Sequence, residues 1–256
     1  MSSLIPAAFR SMDAAIVRGE LIVREGRDDK EFHFQRWVQA RLGEAGINHD
    51  DPGRNSYPDL TLVNAPEGIE VKGLATPGRD ASFDGNSQVA RPTHNGRTIY
   101  YAFGRYPASP EGNNFPVVDL VIVPGSFLNA DDAYEHKNTS TRGFGSYGDI
   151  LLRDRKMYVM PTPVALLEGV EGTRTLLLPA GDDPGGGFVQ VGEVARVEVE
   201  DVMTGYSFDF ATNQLSATYR ENPTAGRQHH FRAWRIARSE GPGAEVTMSN
   251  SVTPSA

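Results

Sequence analysis

Residues 58–72 read Pro-Asp-Leu-Thr-Leu-Val-Asn-Ala-Pro-Glu-Gly-Ile-Glu-Val-Lys and contain two short strand-like runs, the first mostly apolar and the second alternating apolar and charged residues. The runs are residues 60–63 and 69–72, and residues 64–68 between them include Asn, Pro and Gly. Aliphatic and β-branched runs bounded by such residues favour strands joined by a turn. The segment therefore predicts a β-hairpin.

Three charged residues stand at the open end of this hairpin. Asp59 precedes the first strand, and Glu70 and Lys72 lie in the second strand, so Asp59 can approach Glu70. Side chains two residues apart on a strand point to the same face, so Glu70 and Lys72 share a face. Two carboxylates suit Mg²⁺, which prefers oxygen ligands and keeps several waters. A neighbouring lysine can orient or deprotonate one of these waters, so the hairpin predicts a metal-dependent hydrolytic site for phosphate esters.

The order Pro58-Asp59, ten intervening residues, then Glu70-Val71-Lys72 resembles the PD-(D/E)XK nuclease superfamily, and within it the type II restriction endonucleases. The resemblance covers the first half of the chain. It implies that Asp59, Glu70 and the backbone carbonyl of Val71 bind Mg²⁺, for which Mn²⁺ can substitute, and that Lys72 positions the attacking water. It also implies sequence-specific cleavage of double-stranded DNA. Since a two-fold symmetric protein reads palindromic sites most economically, we expect a homodimer.

Many members of this family add an acid from the preceding helix. Residues 28–42 predict a helix, because Phe34, Val38 and Leu42 recur at helical spacing and form one apolar stripe. Glu31 falls on the same stripe, where an unpaired charge is costly. We therefore expect Glu31 to belong to the active site. The alternative is an exposed glutamate whose charge suits the first turn of a helix.

Candidate DNA contacts are polar or basic residues outside the hairpin. The segment 79–88 contains Arg79, Asn86 and Gln88, whose paired donors and acceptors match purine edges, although a polar loop that reads no base is an equal alternative. Phosphate contacts are predicted for residues in a turn and in the arginine-rich segment 213–239, namely His94, Arg97, Arg232 and Arg235.

The pattern of strand-like runs predicts an α+β fold with a mixed central β-sheet flanked by helices, a restriction-endonuclease-like core, and a mainly β C-terminal half. We expect a nuclease core at residues 1–165, a β-rich region packed on it at 166–239 that also serves DNA binding, and a disordered tail at 240–256. One departure from the family is visible: residues 74–96 do not predict the helix that usually follows the Glu-x-Lys strand.

Composition sets wider limits. The 256 residues carry a net charge of −8, so DNA binding requires a local basic surface rather than bulk charge. The chain has no cysteine, which suits a reducing, cytoplasmic location, and no run of about 20 apolar residues that would span a membrane. Two alternatives stay open: a nuclease of the same chemistry for repair, structure-specific or modified-DNA cleavage, and a non-catalytic DNA-binding protein.

Overall fold

A computed structural model of the chain describes residues 3–24, 30–50, 53, 56–78, 80–86, 88–109, 114–130, 137–138, 140–144, 146–147, 149–153, 158–209 and 211–249. At residues 30–31, 86, 137–138, 140–144 and 150–153 the description covers the backbone only.

The helices in these ranges are two long and two short ones: α1 (Ile5–Val17), α2 (Lys30–Glu44), α3 (Gly125–Leu128) and α4 (Pro163–Leu166). The strands are β1 (Leu21–Val23), β2 (His49–Asp50), β3 (Leu60–Leu62), β4 (Glu67–Thr76), β5 (Ser82–Asn86), β6 (Thr93–His94), β7 (Arg97–Pro107), β8 (Asn114–Pro116), β9 (Asp119–Pro124), β10 (Lys137–Asn138), β11 (Ser140–Phe144), β12 (Ile150–Arg153), β13 (Tyr158–Pro161), β14 (Leu167–Glu168), β15 (Arg174–Pro179), β16 (Phe188–Val197), β17 (Asp201–Asp209), β18 (Gln214–Glu221), β19 (Gln228–Ile236) and β20 (Thr247–Met248).

A nine-stranded sheet forms the centre of the molecule. Its strands follow the order β16-β19-β15-β9-β7-β4-β3-β2, and β6 pairs with the start of β7. The pairs β4–β7 and β9–β15 are parallel, whereas the other pairs are antiparallel. The predicted α+β fold with a mixed central sheet is therefore confirmed, and the predicted hairpin is β3–β4.

Helices α1 and α2 cover one face of this sheet, called here the helical face. Phe9 and Phe34 are fully buried in the core between them and the strands. A Cβ atom at Gly104 of β7 would collide with the ring of Phe34, and one at Gly73 of β4 would be tight against the same side chain, 3.0 Å from Phe34 Cβ. Glycine at both positions thus lets α2 approach the sheet closely.

The opposite face, called here the catalytic face, packs against short elements instead. Phe83 of β5 and Phe127 of α3 contact Phe103 of β7 and Phe231 of β19, respectively, in edge-to-face arrangements. In the described ranges, the long helices α1 and α2 belong to the helical face alone. The expectation of a sheet flanked by helices therefore holds for one face, and small β-elements and four-residue helices cover the other.

The predicted division of the chain is not observed. Strands β15, β16 and β19 come from the region 166–239 and belong to the same sheet as the hairpin. The predicted disordered tail is wrong for residues 240–249, because Val246 is fully buried and β20 pairs with β14. Residues 250–256 lie outside the described part of the chain.

The connection from β4 to the parallel strand β7 contains β5 and β6, and no helix occurs among its described residues. This agrees with the absence of a helical pattern in residues 74–96. Among all described helices, none has the length and apolar character needed to cross a membrane.

Candidate active site

The register of the β3–β4 hairpin brings Asp59 and Glu70 together. Leu60 pairs with Ile69, so Asp59, one residue before β3, lies opposite Glu70. The Asp59 amide donates a hydrogen bond of 3.2 Å to Glu70 Oε2, and the Val71 amide donates one of 2.8 Å to Asp59 Oδ2. Each carboxylate is therefore held by the backbone of the other strand.

Lys72 completes the cluster. Its Nζ atom lies 3.0 Å from Glu70 Oε1, and the two side chains are only 13% and 12% exposed. Two ions so far removed from water need each other, since an unpaired buried charge is costly. Glu70 and Lys72 point to the catalytic face, as the alternation of β4 requires, because the intervening Val71 is in the core under the helices.

Val71 contributes a third oxygen to the same edge. Its amide points away from β7 toward Asp59, beyond the first residue of β3. Because the N–H and C=O groups of one strand residue point to the same side, the Val71 carbonyl also faces the Asp59 side of β4. Two carboxylates and one carbonyl thus stand around the open end of the hairpin.

This set of donors has a specific chemistry. In the ranges that the structure describes, no cluster of three or more His, Cys, Asp or Glu side chains is arranged to hold a metal ion. Two hard carboxylates with a carbonyl match Mg²⁺, which retains several waters and needs few protein ligands. An ionised carboxylate has about four lone-pair positions, so a carboxylate that accepts a backbone hydrogen bond can also bind a cation.

An aromatic wall that the sequence reasoning missed borders Glu70. The hydroxyl groups of Tyr57 and Tyr101 are 2.9 Å apart, and Tyr101 is aligned with Glu70 in the parallel register of β4 and β7. Burial raises the pKa of Tyr57 to about 12, and the charge of Glu70 contributes to the rise. Both hydroxyls are therefore neutral hydrogen-bonding groups at physiological pH.

His94 stands on the other side of this wall. Its ring meets Tyr57 edge-on, with the centroids 5.0 Å apart. Burial lowers the pKa of His94, and the charge of Arg91 lowers it further. Arg91 also acts electrostatically on Tyr57 and Tyr101, so it belongs to the surroundings of the site although the sequence did not mark it as a site residue. Its position in an irregular Gly- and Pro-containing segment gave no periodic signal.

Glu31 lies in the first turn of α2, and its side chain is outside the description. The stripe on which it was placed, with Phe34 and Val38, packs on the helical face, whereas Glu70 and Lys72 point to the catalytic face. The argument from this stripe is therefore wrong, because the sheet lies between the two sets of side chains. A role for Glu31 stays a prediction that Glu31→Gln tests.

The predicted base-reading residues are only partly described. Arg79 and the side chain of Asn86 lie outside the described residues. Gln88 is half-buried, and its backbone N–H donates a hydrogen bond of 2.8 Å to the Gly85 carbonyl in the turn after β5. Base reading by these residues stays a prediction.

Arg97 stabilises the β3–β4 hairpin through hydrogen bonds to its backbone. Its Nη1 atom donates hydrogen bonds of 2.9 Å and 3.0 Å to the carbonyls of Leu62 and Ala65, in the turn between β3 and β4. This guanidinium therefore fastens the hairpin to the start of β7, and thereby supports the position of Asp59 and Glu70.

Arg235 does not meet the expectation of a phosphate contact. It is 6% exposed, and its guanidinium donates to Thr175 Oγ1 and to the carbonyls of Gly169, Pro242 and Ala244. It therefore connects β19 to neighbouring loops. Arg232 is exposed by 40% near Glu193, but it alternates with Phe231 and Ala233 on β19 and so belongs to the helical face.

No protein-family model matches the chain, and a search of curated proteins found no match.

Proposed function

We propose that this protein is a metal-dependent endonuclease of the PD-(D/E)XK type that hydrolyses double-stranded DNA. The observation that supports the proposal most strongly is the mutual fastening of Asp59 and Glu70 at the open end of the β3–β4 hairpin, with Lys72 3.0 Å from Glu70. A protein that only binds DNA has no use for two adjacent carboxylates beside a phosphate, because their charges repel it.

Asp59, Glu70 and the Val71 carbonyl would hold Mg²⁺ or Mn²⁺, which supplies positive charge for a phosphate oxygen and lowers the pKa of a bound water. Lys72 would orient the attacking water, and its Nζ, once it has released a proton to solvent, would take up the proton of that water. Glu70 holds this ammonium in place, and burial of both groups limits competition from bulk water.

The surrounding fold is compatible with a restriction-endonuclease-like core, which we propose as its class. The hairpin strand β4 lies beside the parallel strand β7 in a mixed sheet, and α2 packs on that sheet. The crossover made of β5 and β6 instead of a helix is a departure from the usual pattern. Site-specific cleavage by a homodimer belongs to the same proposal and follows from the resemblance alone.

Digestion of supercoiled plasmid by the purified protein tests the function. We expect cutting with Mg²⁺ or Mn²⁺, none in excess chelator, and DNA binding with little cutting in Ca²⁺, because Ca²⁺ takes more ligands with looser geometry. Discrete fragments support a restriction enzyme, and a smear supports a nuclease for repair, structure-specific or modified-DNA cleavage. Intact plasmid with every metal would contradict the proposal and favour a binding protein.

Glu70→Gln distinguishes cleavage by this protein from cleavage by a co-purifying nuclease. The substitution keeps the shape of the side chain and removes the charge that pairs with Lys72. Activity that co-purifies with the wild-type chain and disappears in Glu70→Gln belongs to this site. Equal cutting by both preparations would assign the activity to another protein.

A further inference from the structure

A cleft lies on the catalytic face, away from Asp59 and Glu70. It has a volume of about 480 Å³ and is bordered by α3, the end of β16, the base of the β17–β18 hairpin and the loop of residues 222–227. Among the described residues that line it, the cations are Arg196, Arg220 and Arg227, and Glu198 is the one acid. The lining is therefore strongly biased toward positive charge.

The single acid of this cleft is already engaged. Glu198 Oε1 lies 2.7 Å from His229 Nε2, and Glu198 Oε2 accepts hydrogen bonds from Asn222 and from the hydroxyl of Thr224. These interactions fix the 222–227 loop, from which Arg227 projects with an exposed side chain. Glu198 thus serves to shape the rim of the cleft through these hydrogen bonds.

Arg196 lies deeper, at the wall formed by α3. Its guanidinium carbon is 5.6 Å from the centre of the Phe127 ring. Arg196 is half-buried, and this burial lowers its pKa. In the described part of the chain, the Phe127 ring is the partner found for this guanidinium. An anion that enters the cleft would bring an opposite charge and hydrogen-bond acceptors to this guanidinium.

The distance between the cleft and the hairpin fits one DNA duplex. Strand β16 is five strands from β4, so the two sites are about 24 Å apart across the sheet at ~4.8 Å per strand. Arg196 of β16 pairs with His229 of β19. The residue of β19 that is level with Glu70 is Ala233, and His229 lies four residues before it. The cleft is therefore also offset from Glu70 by about 13 Å along the strands. The resulting separation of roughly 27 Å is less than one turn of B-DNA, about 34 Å.

We propose that this cleft binds backbone phosphates of the same duplex that Asp59, Glu70 and Lys72 cleave, with Arg196 and Arg227 as the contacting residues. The inference rests on the proposed action on duplex DNA. It replaces Arg232 and Arg235, which the sequence suggested for this task, by two arginines on the face that carries the catalytic cluster. It also explains how a chain with a net charge of −8 can hold a polyanion, since the positive charge is local.

The test measures the salt dependence of DNA affinity in the Lys72→Ala background, where hydrolysis is blocked. A fluorescent duplex of about 30 base pairs, close to three turns, is titrated in Ca²⁺ at several NaCl concentrations. Each lost phosphate contact lowers the log–log slope by about 0.9, so Arg227→Gln should lower it by about 0.9 and Arg196→Gln with Arg227→Gln by about 1.8. Arg227 is exposed, so its replacement leaves the core intact if the Arg196 variant folds poorly.

Arg18→Gln is the matched control, because Arg18 is an exposed arginine at the end of α1, on the helical face. It should leave the slope unchanged. Plasmid cleavage by the wild type together with an unchanged slope in the double variant would overturn the cleft and leave the nuclease proposal standing. A slope that falls in the double variant of a chain that cleaves no DNA would overturn the nuclease proposal and support the cleft as a DNA-binding surface.

Inorganic phosphate distinguishes a free anion from the duplex. If phosphate raises the melting temperature of the Lys72→Ala chain but not of the double variant, while the slope with duplex stays unchanged, then the cleft takes small anions. That result would overturn the assignment to DNA. If phosphate competes with the duplex and the slope also falls, the two observations support the cleft as a contact for backbone phosphates.

Discussion

Gly68 of β4 lies directly against Pro58, so that a Cβ atom added at Gly68 would come within 2.5 Å of Pro58 Cγ. Pro58 precedes the proposed metal ligand Asp59, and Gly68 comes two residues before Glu70. The close approach of this glycine and proline therefore helps to set the distance between the two carboxylates, in addition to their hydrogen bonds.

We expect Gly68→Ala to lower the rate of DNA cleavage at least about tenfold, because displacement of a reacting group by about 1 Å can cost up to a hundredfold. DNA affinity should change much less. Gly43→Ala is the control, since a Cβ atom there meets nothing within 4 Å and alanine suits a helix better than glycine. Single-turnover cleavage of both variants checks the prediction, and equal rates would show that Pro58 does not position Asp59.

Lys72→Ala should reduce the cleavage rate by at least about two orders of magnitude, a typical contribution of positioned proton transfer. DNA affinity should change far less than the cleavage rate. Single-turnover kinetics and binding in Ca²⁺ measure the two effects separately. Cleavage at wild-type speed would refute the assignment of Lys72.

The hairpin and most strands could be predicted because they depend on local patterns. Two apolar runs with a Pro- and Gly-containing turn predict β3–β4, and the continuous apolar run near β9 predicts a central strand, which is completely buried. Helix α1 was missed, since the sequence analysis assigned no element to residues 5–17. Its fully buried Phe9 and Met12 depend on packing against α2 and the sheet.

The site residues likewise fall into those that local sequence spacing predicts and those that depend on tertiary packing. Asp59, Glu70 and Lys72 could be found because their spacing on a hairpin brings them together. Arg235 was misjudged, because an arginine on a strand looks the same in sequence whether it faces solvent or a neighbouring loop. Arg196 was overlooked for the converse reason: its surroundings come from α3 and residues 222–227, which are distant in sequence.

Arg105 and Asp119 form a buried ion pair between β7 and β9. Arg105 Nε lies 3.0 Å from Oδ1 and 2.9 Å from Oδ2 of Asp119, and Asp119 also accepts a hydrogen bond of 3.1 Å from the Gly172 amide. The pair is aligned directly across the two strands, and its side chains are 8% and 1% exposed. Hydrogen bonding to Asp119 raises the pKa of Arg105.

Asp119→Asn should lower the free energy of unfolding by up to about 3 kcal/mol, since it removes the buried counter-charge of Arg105 and leaves this guanidinium with the more exposed carboxylates of Glu171 and Asp80. Urea unfolding followed by circular dichroism measures this loss. The double variant Arg105→Met with Asp119→Leu should recover part of it, because removing both charges also removes their desolvation cost. A double variant less stable than Asp119→Asn would contradict this explanation.

The last prediction concerns acid stability and depends on Glu198. Hydrogen bonds from Thr224 and His229 lower the pKa of its carboxyl from 4.5 to about 2. A carboxyl group whose pKa is lower in the folded than in the unfolded chain stabilises the fold above the unfolded pKa. This stabilisation is lost as the pH falls from about 4.5 to about 2, where the folded carboxyl takes up its proton.

Glu198→Gln removes this titration, so the variant should have a lower melting temperature than the wild type at pH 7 and a smaller difference from it near pH 2. Melting temperatures measured at intervals between pH 7 and pH 2 test this. Glu193→Gln is a suitable control, because Glu193 lies on the same strand and its side chain is 50% exposed. A difference between Glu198→Gln and wild type that stays constant over the whole range would show that the carboxylate stabilises the loop of residues 222–227 by shape and not by charge.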